Sequence, residues 1–585
     1  MPQGTQGRSH RGPLSRAGTA YGRTRTASAC QICRARRAKC DNEKPCSYCR
    51  RIGATCSSEP ASATAGFDPA SLTILAKLEA LQNEVASLSD RLQRPRSTSH
   101  SSPGSTVVAH ASPHTPPQQA PFTLSLDRHL QRGNISQVLA WNIWQPHEPP
   151  QCLTAGEGDP GPDTTSFGRV QTPQLHQNLD LSLFPGFLDA FFRNVHVLNP
   201  MLDEQQVRAQ LTNSLLNGIG WDAASCLLLL VLANGACSSE FGELPMTGPT
   251  GGRDEHRRLN AQALFDAAEN RKHTLWRSDY LTQARCHFYS GLFMMVWMRP
   301  FDAWRYFLQG LATCQRLTAP ENCRSPRDPA QVERQAEESI YWSCWKSERE
   351  LRFELDMPNF SSTGYDHPIM FPTLPPQVFD QEQLRAWYFY LAEISLWRSE
   401  MTARKTLSEF VKQQPSALEV LAERIVDLEA SLASWQASLP DAISFDPGLQ
   451  SNAVDILHFV LQGRLTYNYE VLTWPFLETQ LLFGSHRTVR VSELVARGVR
   501  VHYDRLSINR PGFYYRHHGT WLMRRSSTRS ACILLAVARS NFSDILPAGW
   551  QALLSDTIAM LEYWSETPED ETVVFLKSVL LEFIQ

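Results

Sequence analysis

Long apolar runs are missing from this sequence. Over 585 residues the longest, "CLLLLVLANGAC" at 226–237, covers twelve positions, whereas a helix that spans a bilayer needs about 20. The first twenty-nine residues, "MPQGTQGRSHRGPLSRAGTAYGRTRTASA", are basic and small and lack the apolar core of a secretory leader. A soluble, intracellular chain with no membrane partner is expected. Catalytic signatures are missing too: there is no GxSxG elbow, no phosphate-cradling GxxxxGK[ST] and no HExxH. Net charge is small, at −3. Cysteine is sparse except in one place, since six of the fourteen fall within residues 29–56 and the other eight spread over more than five hundred.

What is present is concentrated near one end. Residues 1–60 carry twelve Lys and Arg against three Asp and Glu, a net +9, which leaves −12 for the remainder. An anionic partner is expected at the basic end. The same stretch reads "ACQICRARRAKCDNEKPCSYCRRIGATC", so that C-x2-C-x6-C occurs twice, as Cys30, Cys33, Cys40 and as Cys46, Cys49, Cys56. In a reducing compartment so dense a cluster is a metal site rather than a disulfide framework. Structural zinc takes four ligands, and two ions therefore need eight places. Six thiolates supply eight only if two of them bridge both ions, which points to a binuclear cluster.

The segments "CQICRARRAKCD", "KPC" and "CSYCRRIGATC" resemble the fungal zinc binuclear cluster (Zn(2)-Cys(6)) transcription factor family. The resemblance implies two Zn²⁺ per chain, with Cys30 and Cys46 bridging, Cys33 and Cys40 completing one ion and Cys49 and Cys56 the other. It also implies that Arg36 and Arg37 read a CGG-type triplet in the major groove of double-stranded DNA. Arg at the second of these positions replaces the family's usual Lys, and it donates bidentately to guanine O6 and N7. Arg34, Lys39, Arg50 and Arg51 fall to phosphates. If 34–39 is helical, Arg34 and Arg37 lie about 60° apart, Arg36 and Lys39 likewise, and the two pairs face nearly opposite ways. Such a helix touches both walls of a groove. Six thiolates and two Zn²⁺ sum to −2, so some of these cations also offset the cluster's own charge. Pro45 is expected to fix the turn between the halves.

After a polar linker at 57–67, "DPASLTILAKLEALQNEVASLSDRLQR" opens with Asp68 as N-cap and Pro69 at the first helical position. Ile74, Leu78, Leu81, Val85, Leu88 and Leu92 follow at alternating spacings of 4 and 3, with Leu78, Val85 and Leu92 at a and the others at d. A coiled-coil dimerisation helix over 68–93, pairing two copies of the chain, is expected. Six prolines and six serines between 94 and 121 cannot build a core, and a Pro, Ser and Gly-rich linker is placed at 94–177.

Residues 178–585 read as all-α. Leu421, Ile425, Leu428, Leu432 and Trp435 recur at helical spacing, as do Leu384, Trp387, Leu391 and Ile394, while alternating runs are scarce. "FFRNVHVLNPMLDE", "GLFMMVWMRPFDAWRYFLQGL", "YWSCWKSERELRFELDMP", "YFYLAEISLWR" and "HHGTWLMRRSSTRSACILLAVA" resemble the family's regulatory, or middle homology, region. His517 and His518 point about 100° apart if helical, and an end-of-helix or surface role is expected of them rather than metal ligation. Glu348 and Arg352 read as a helix salt bridge, and Trp342 and Trp345 as core. The fold class is thus a small zinc cluster domain behind a basic tail (1–29), a short coiled coil, and a large all-α regulatory domain.

The resemblance implies a nuclear, sequence-specific transcription factor that is not an enzyme, acting on RNA polymerase II genes through the transcription machinery, with control of a fungal secondary-metabolite gene cluster as one use. The alternatives are a zinc-dependent interaction module, which the basic residues at the matching positions disfavour, and an enzyme with an accessory zinc domain, which has no catalytic constellation to offer.

Overall fold

The computed structural model describes residues 30, 32–33, 36, 38–41, 43–56, 133–150, 180–242, 252–317, 331–359, 368, 371–372, 380–413, 418–445, 455–484, 488–565 and 570–584, without the side chains of 252–255, 331–333 and 410–413. The expected tail at 1–29, the linker at 57–67, the coiled-coil helix at 68–93, and Arg34 and Arg37 lie outside these residues. The chain divides into two compact units, Met1–Pro116 and Pro117–Gln585.

In the first unit the backbone turns tightly after the first cysteine pair: the N–H of Arg36 donates to the Ile32 carbonyl at 3.0 Å and that of Ala38 to Cys33 at 2.9 Å. A one-turn helix, α1 (Ser47–Arg51), carries the second pair, Cys49 within it and Cys46 just ahead. Its N-cap is Cys46, whose sulfur accepts the Cys49 N–H. Gly53, at φ +66°, supplies the left-handed residue that turns the chain away from α1. The Lys44–Pro45 peptide between the halves is cis.

In the second unit every regular element among the described residues is helical, in accord with the all-α expectation. α2 (Ile135–Leu139) is followed by α3 (Phe184–Asn194), α4 (Glu204–Asn217), α5 (Ala223–Ala236), α6 (Gly252–Glu269), α7 (Tyr280–Val296), α8 (Pro300–Leu317) and α9 (Gln331–Glu354). Then come α10 (Gln381–Gln413), α11 (Leu418–Ala437), α12 (Ile456–Phe483), α13 (Val489–Asn509), α14 (Thr520–Ala538), α15 (Trp550–Trp564) and α16 (Glu571–Leu580). Aspartates start six of them: Asp203, Asp222, Asp279, Asp380, Asp455 and Asp570 each accept one or two backbone N–H groups of the first turn. Each thereby satisfies donors that the helix leaves unpaired.

The greasy run at 226–237 is the buried helix α5, in which every residue from Ser225 to Ala236 is buried. No helix of the described residues is long and apolar enough to cross a membrane. α5 and α3 approach so closely that a Cβ at Gly235 would meet the Phe187 carbonyl oxygen at 1.9 Å, which leaves room for glycine alone. Trp342 and Trp345 are buried as expected, and so are Leu421, Ile425 and Leu432 on one face of α11.

Two features depart from the sequence reading. The stretch expected as a linker, 94–177, contains an ordered piece at 133–150, where Asn134 caps α2 and Ile135, Val138 and Leu139 are buried. Trp141 stacks on Trp474 with ring centroids 6.0 Å apart, and Trp144 meets Phe575 edge-on at 5.4 Å. Apolar spacing of three and four behind an Asn cap outweighs the Pro- and Gly-rich surroundings. The second feature is His517, which is at the end of a helix but not on the surface. It is 8 % exposed just ahead of α14, its Nδ1 accepting the Gly519 N–H at 3.1 Å.

A ladder of ion pairs also runs through the interior where α9, α10, α12, α13 and α14 meet. Lys346 pairs with Glu393, and Arg464 with Glu400 and, at 3.3 Å, with Glu350. Arg404 holds Glu400 at 2.7 Å, and Glu354 receives Arg525 at 3.3 Å and Arg529 at 2.8 Å. Arg529 reaches Glu470 at 3.0 Å, which also takes Arg505. Charges this deeply placed are tolerated only as mutually compensated sets.

Candidate metal centre and nucleic-acid interface

The sulfurs of Cys30, Cys33, Cys46 and Cys49 converge within 4.8 Å of one another and all four residues are buried. Cys30 Sγ lies 3.8 Å from Cys46 Sγ and 3.6 Å from Cys49 Sγ, and Cys33 Sγ lies 3.6 Å from Cys46 Sγ. Disulfide sulfurs stand about 2.05 Å apart. Two sulfurs on one tetrahedral zinc, with bonds of about 2.3 Å, stand about 3.8 Å apart. The spacing therefore fits thiolates gathered for metal.

The half-buried Cys40 and Cys56 extend this set. Cys40 interacts with Cys33 and lies within 4.8 Å of the Cys46 sulfur, while Cys56 interacts with Cys30, Cys46 and Cys49. The sulfur of Cys56 also accepts the Cys46 N–H at 3.4 Å. Cys30 and Cys46 each touch cysteines of both halves of the repeat.

Local backbone geometry favours charge on those two sulfurs. The N–H of Cys49 donates to Cys46 at 3.4 Å and the N–H of Cys33 to Cys30, and each bond lowers the thiol below its ordinary value. Burial acts oppositely on the other members of the pairs, raising Cys33 and pushing Cys49 up to about 12. A C-x2-C step that begins a helical turn produces this asymmetry, because only the first sulfur faces the N–H three residues on.

Of the six cations singled out in the sequence, Arg36, Lys39, Arg50 and Arg51 are described and exposed. Arg50 donates to the Pro45 carbonyl at 3.1 Å and lies 3.7 Å from Glu43. Arg51 sits over the Tyr48 ring at 5.6 Å. Arg50 is thus tethered to the turn between the halves and Arg51 to its own helix, whereas the main chain of Lys39 is held by the cluster, its carbonyl 4.0 Å from Cys33 Sγ.

Asp41 was not singled out in the sequence. Its carboxylate accepts the Ser47 N–H at 3.0 Å, and the Ser47 hydroxyl and N–H together hold it below the usual carboxylate range. It ties the residue after the third cysteine to the start of α1 and so fixes the two halves against each other. The available signal was an acidic residue six positions ahead of the first residue of a helix that has no acidic residue in its own first turn.

Residues 28–64 match the fungal Zn(2)-Cys(6) binuclear cluster domain. This domain binds two zinc ions and is typical of fungal DNA-binding transcription factors. No curated protein gives a significant match to the chain.

Proposed function

We propose that the chain is a nuclear, sequence-specific DNA-binding transcription factor in which residues 30–56 read CGG-type half-sites and 68–93 pairs two copies. The observation that carries this reading is the convergence of the repeat's sulfurs in a segment whose Arg36 and Lys39 are exposed. Zinc, when bound, locks the fold of 30–56. Cys30 and Cys46 are assigned as the bridging thiolates by the resemblance to the zinc binuclear cluster family, and both lie among the convergent sulfurs. Cys33 and Cys40 then complete one ligand set, and Cys49 and Cys56 the other.

Within this reading Arg36 and Arg37 contact base edges, and Arg34, Lys39, Arg50 and Arg51 contact phosphates. The tethering of Arg50 to the Pro45 carbonyl supports the phosphate role, because a side chain held to its own loop can present charge but has less freedom to reach a base. The helical unit is assigned as the regulatory, middle homology region that engages the transcription machinery, with a fungal secondary-metabolite gene cluster as the target. Selection of the full chain on randomised duplexes, with and without a zinc chelator, tests the reading. Zinc-dependent enrichment of CGG-containing sequences is expected. Enrichment of no sequence, or enrichment that survives chelation, overturns it.

A further inference from the structure

Between α10, α11 and α12 the second unit holds a groove of about 370 Å³, within the roughly 300–1,000 Å³ range of small-molecule sites. It exists because α10 presents small side chains there, Ser395, Ser399 and Ala403 at successive turns, opposite Leu428 and Leu432 of α11. Apolar walls alone would leave the occupant undefined, but the polar groups do not.

Asn468 of α12 lines the groove although the residue is 2 % exposed. Its Nδ2 donates to the Arg464 carbonyl at 3.1 Å, which fixes the amide's orientation and leaves Oδ1 as an acceptor with no partner among the described residues. Three hydroxyls on the rim are also committed as donors. Ser399 donates to the Ser395 carbonyl at 3.1 Å, Thr402 to Arg398 at 3.0 Å and Ser431 to Asp427 at 2.9 Å. With their protons spent on their own helices, these oxygens offer lone pairs only. Apart from Ser395 and Arg398, the polar lining thus asks for donors. Arg398 is the only charged residue among the described residues that line the groove; it is exposed and sits over the Phe371 ring at 5.8 Å.

We propose that this groove binds a small carboxylic acid bearing hydroxyl or amino donors, its carboxylate on Arg398 at the mouth and its donors on Asn468 Oδ1 and the rim hydroxyls. A simple dicarboxylate meets the cation but leaves the acceptors unpaired, and a polyol meets the acceptors but leaves Arg398 unused. The proposal does not depend on DNA binding. Its occupant would brace α11 against α10 and α12, one turn from the Arg464–Glu400 pair on the same two helices.

The test uses the full zinc-loaded chain without DNA. Calorimetric titration and thermal unfolding are run with the twenty L-amino acids, L-lactate, L-malate and D-gluconate, with succinate and isobutyrate as acids lacking donors and glycerol as a donor lacking the acid. At least one donor-bearing acid is expected to bind saturably and raise the unfolding midpoint. Arg398→Gln, an exposed change, should weaken that binding tenfold or more, in line with the loss of a charge-assisted hydrogen bond. Asn468→Leu and Ser399→Leu, one removing the acceptor and the other filling the groove, should abolish it. Unliganded midpoint and zinc content report whether each variant is folded. Binding by no donor-bearing acid, equal binding of succinate or isobutyrate, or binding unchanged in the folded Arg398→Gln variant overturns the proposal.

Discussion

Arg529 meets Glu470 at 3.0 Å with both side chains buried, and the same guanidinium holds Glu354 at 2.8 Å. One side chain of α14 thereby fastens α9 and α12. Burial works against the charge on Glu470, but Arg505 and Arg529 more than offset it and hold its carboxyl at about 2. Breaking a buried pair leaves an uncompensated charge, at a cost of about 3–5 kcal/mol. Arg529→Met should destabilise the helical unit by roughly 3 kcal/mol, the low end of that range, because Arg525 and Arg505 still face the two carboxylates. Urea unfolding of the variant checks this, and a loss of under about 1 kcal/mol means the ladder does not hold the helices together.

Apart from the i, i+4 pair of Glu400 and Arg404, none of this ladder was legible in the sequence, whereas the metal cluster was. Thiolate spacing is a local property, because the ligands of a C-x2-C step sit within one turn. Lys346, Glu350 and Glu354 recur at i, i+4 spacing along α9, and nothing local marks them as buried. Their partners stand 47 to 175 positions away, and only the packing of five helices brings them together. Glu348 and Arg352 show the same limit on a smaller scale. Their i, i+4 pair forms at 3.0 Å as expected, but Glu348 is buried and also accepts Trp304 Nε1 at 3.1 Å, a contact from α8 that no local pattern announces.

Folding of 30–56 should depend on zinc, since its buried residues are the cysteines themselves and so small an apolar core leaves metal binding to supply the folding free energy. Cys46→Ala removes a thiolate assigned to both ions and should abolish DNA binding. Metal analysis of the purified parent should give two zinc ions per chain, and a value near one is incompatible with the bridged arrangement.

Base reading and phosphate holding should separate by mutation. Arg36→Ala should cost about 1–3 kcal/mol and relax preference at one base position. Lys39→Ala should instead weaken all sequences alike and lower the salt slope by about one unit. Site ranking from a randomised library distinguishes the two, and an unchanged ranking for Arg36→Ala removes it from the base-reading pair.

Acid should destabilise the helical unit through its histidines. Burial lowers His196 to about 3 and His287, His502 and His518 to about 4, whereas an unfolded histidine titrates near 6.5. Between about pH 4 and 6.5 the unfolded chain takes up protons that the folded chain refuses. Stability is therefore full above 6.5 and falls as pH drops through that window. Glu350, pushed up to about 7 by burial, acts with the opposite sign but is one group against five histidines, since burial lowers His517 as well. Urea midpoints at pH 7.5 and 5 should differ in this sense, and His502→Gln should shrink the difference by about 2 kcal/mol. A midpoint independent of pH over this range contradicts the burial of these rings in the neutral form.

Pairing through 68–93 can be tested apart from the clusters. As proposed, a helix over 69–92 would be about 36 Å long at ~1.5 Å per residue, enough for about three heptads and a dimer of moderate stability. Each eleven-residue linker at 57–67 has a root-mean-square reach of about 18 Å, so two of them span about 36 Å, or roughly ten base pairs. Half-site separations from zero to about a dozen base pairs are therefore within reach. Leu81→Lys with Leu88→Lys puts like charges into two successive d layers without touching a thiolate or a base contact. Affinity for a duplex with two half-sites should then fall to that of one half-site, while affinity for a single half-site should match the parent. Equal loss on both duplexes, or none on either, means that the pairing surface lies outside 68–93.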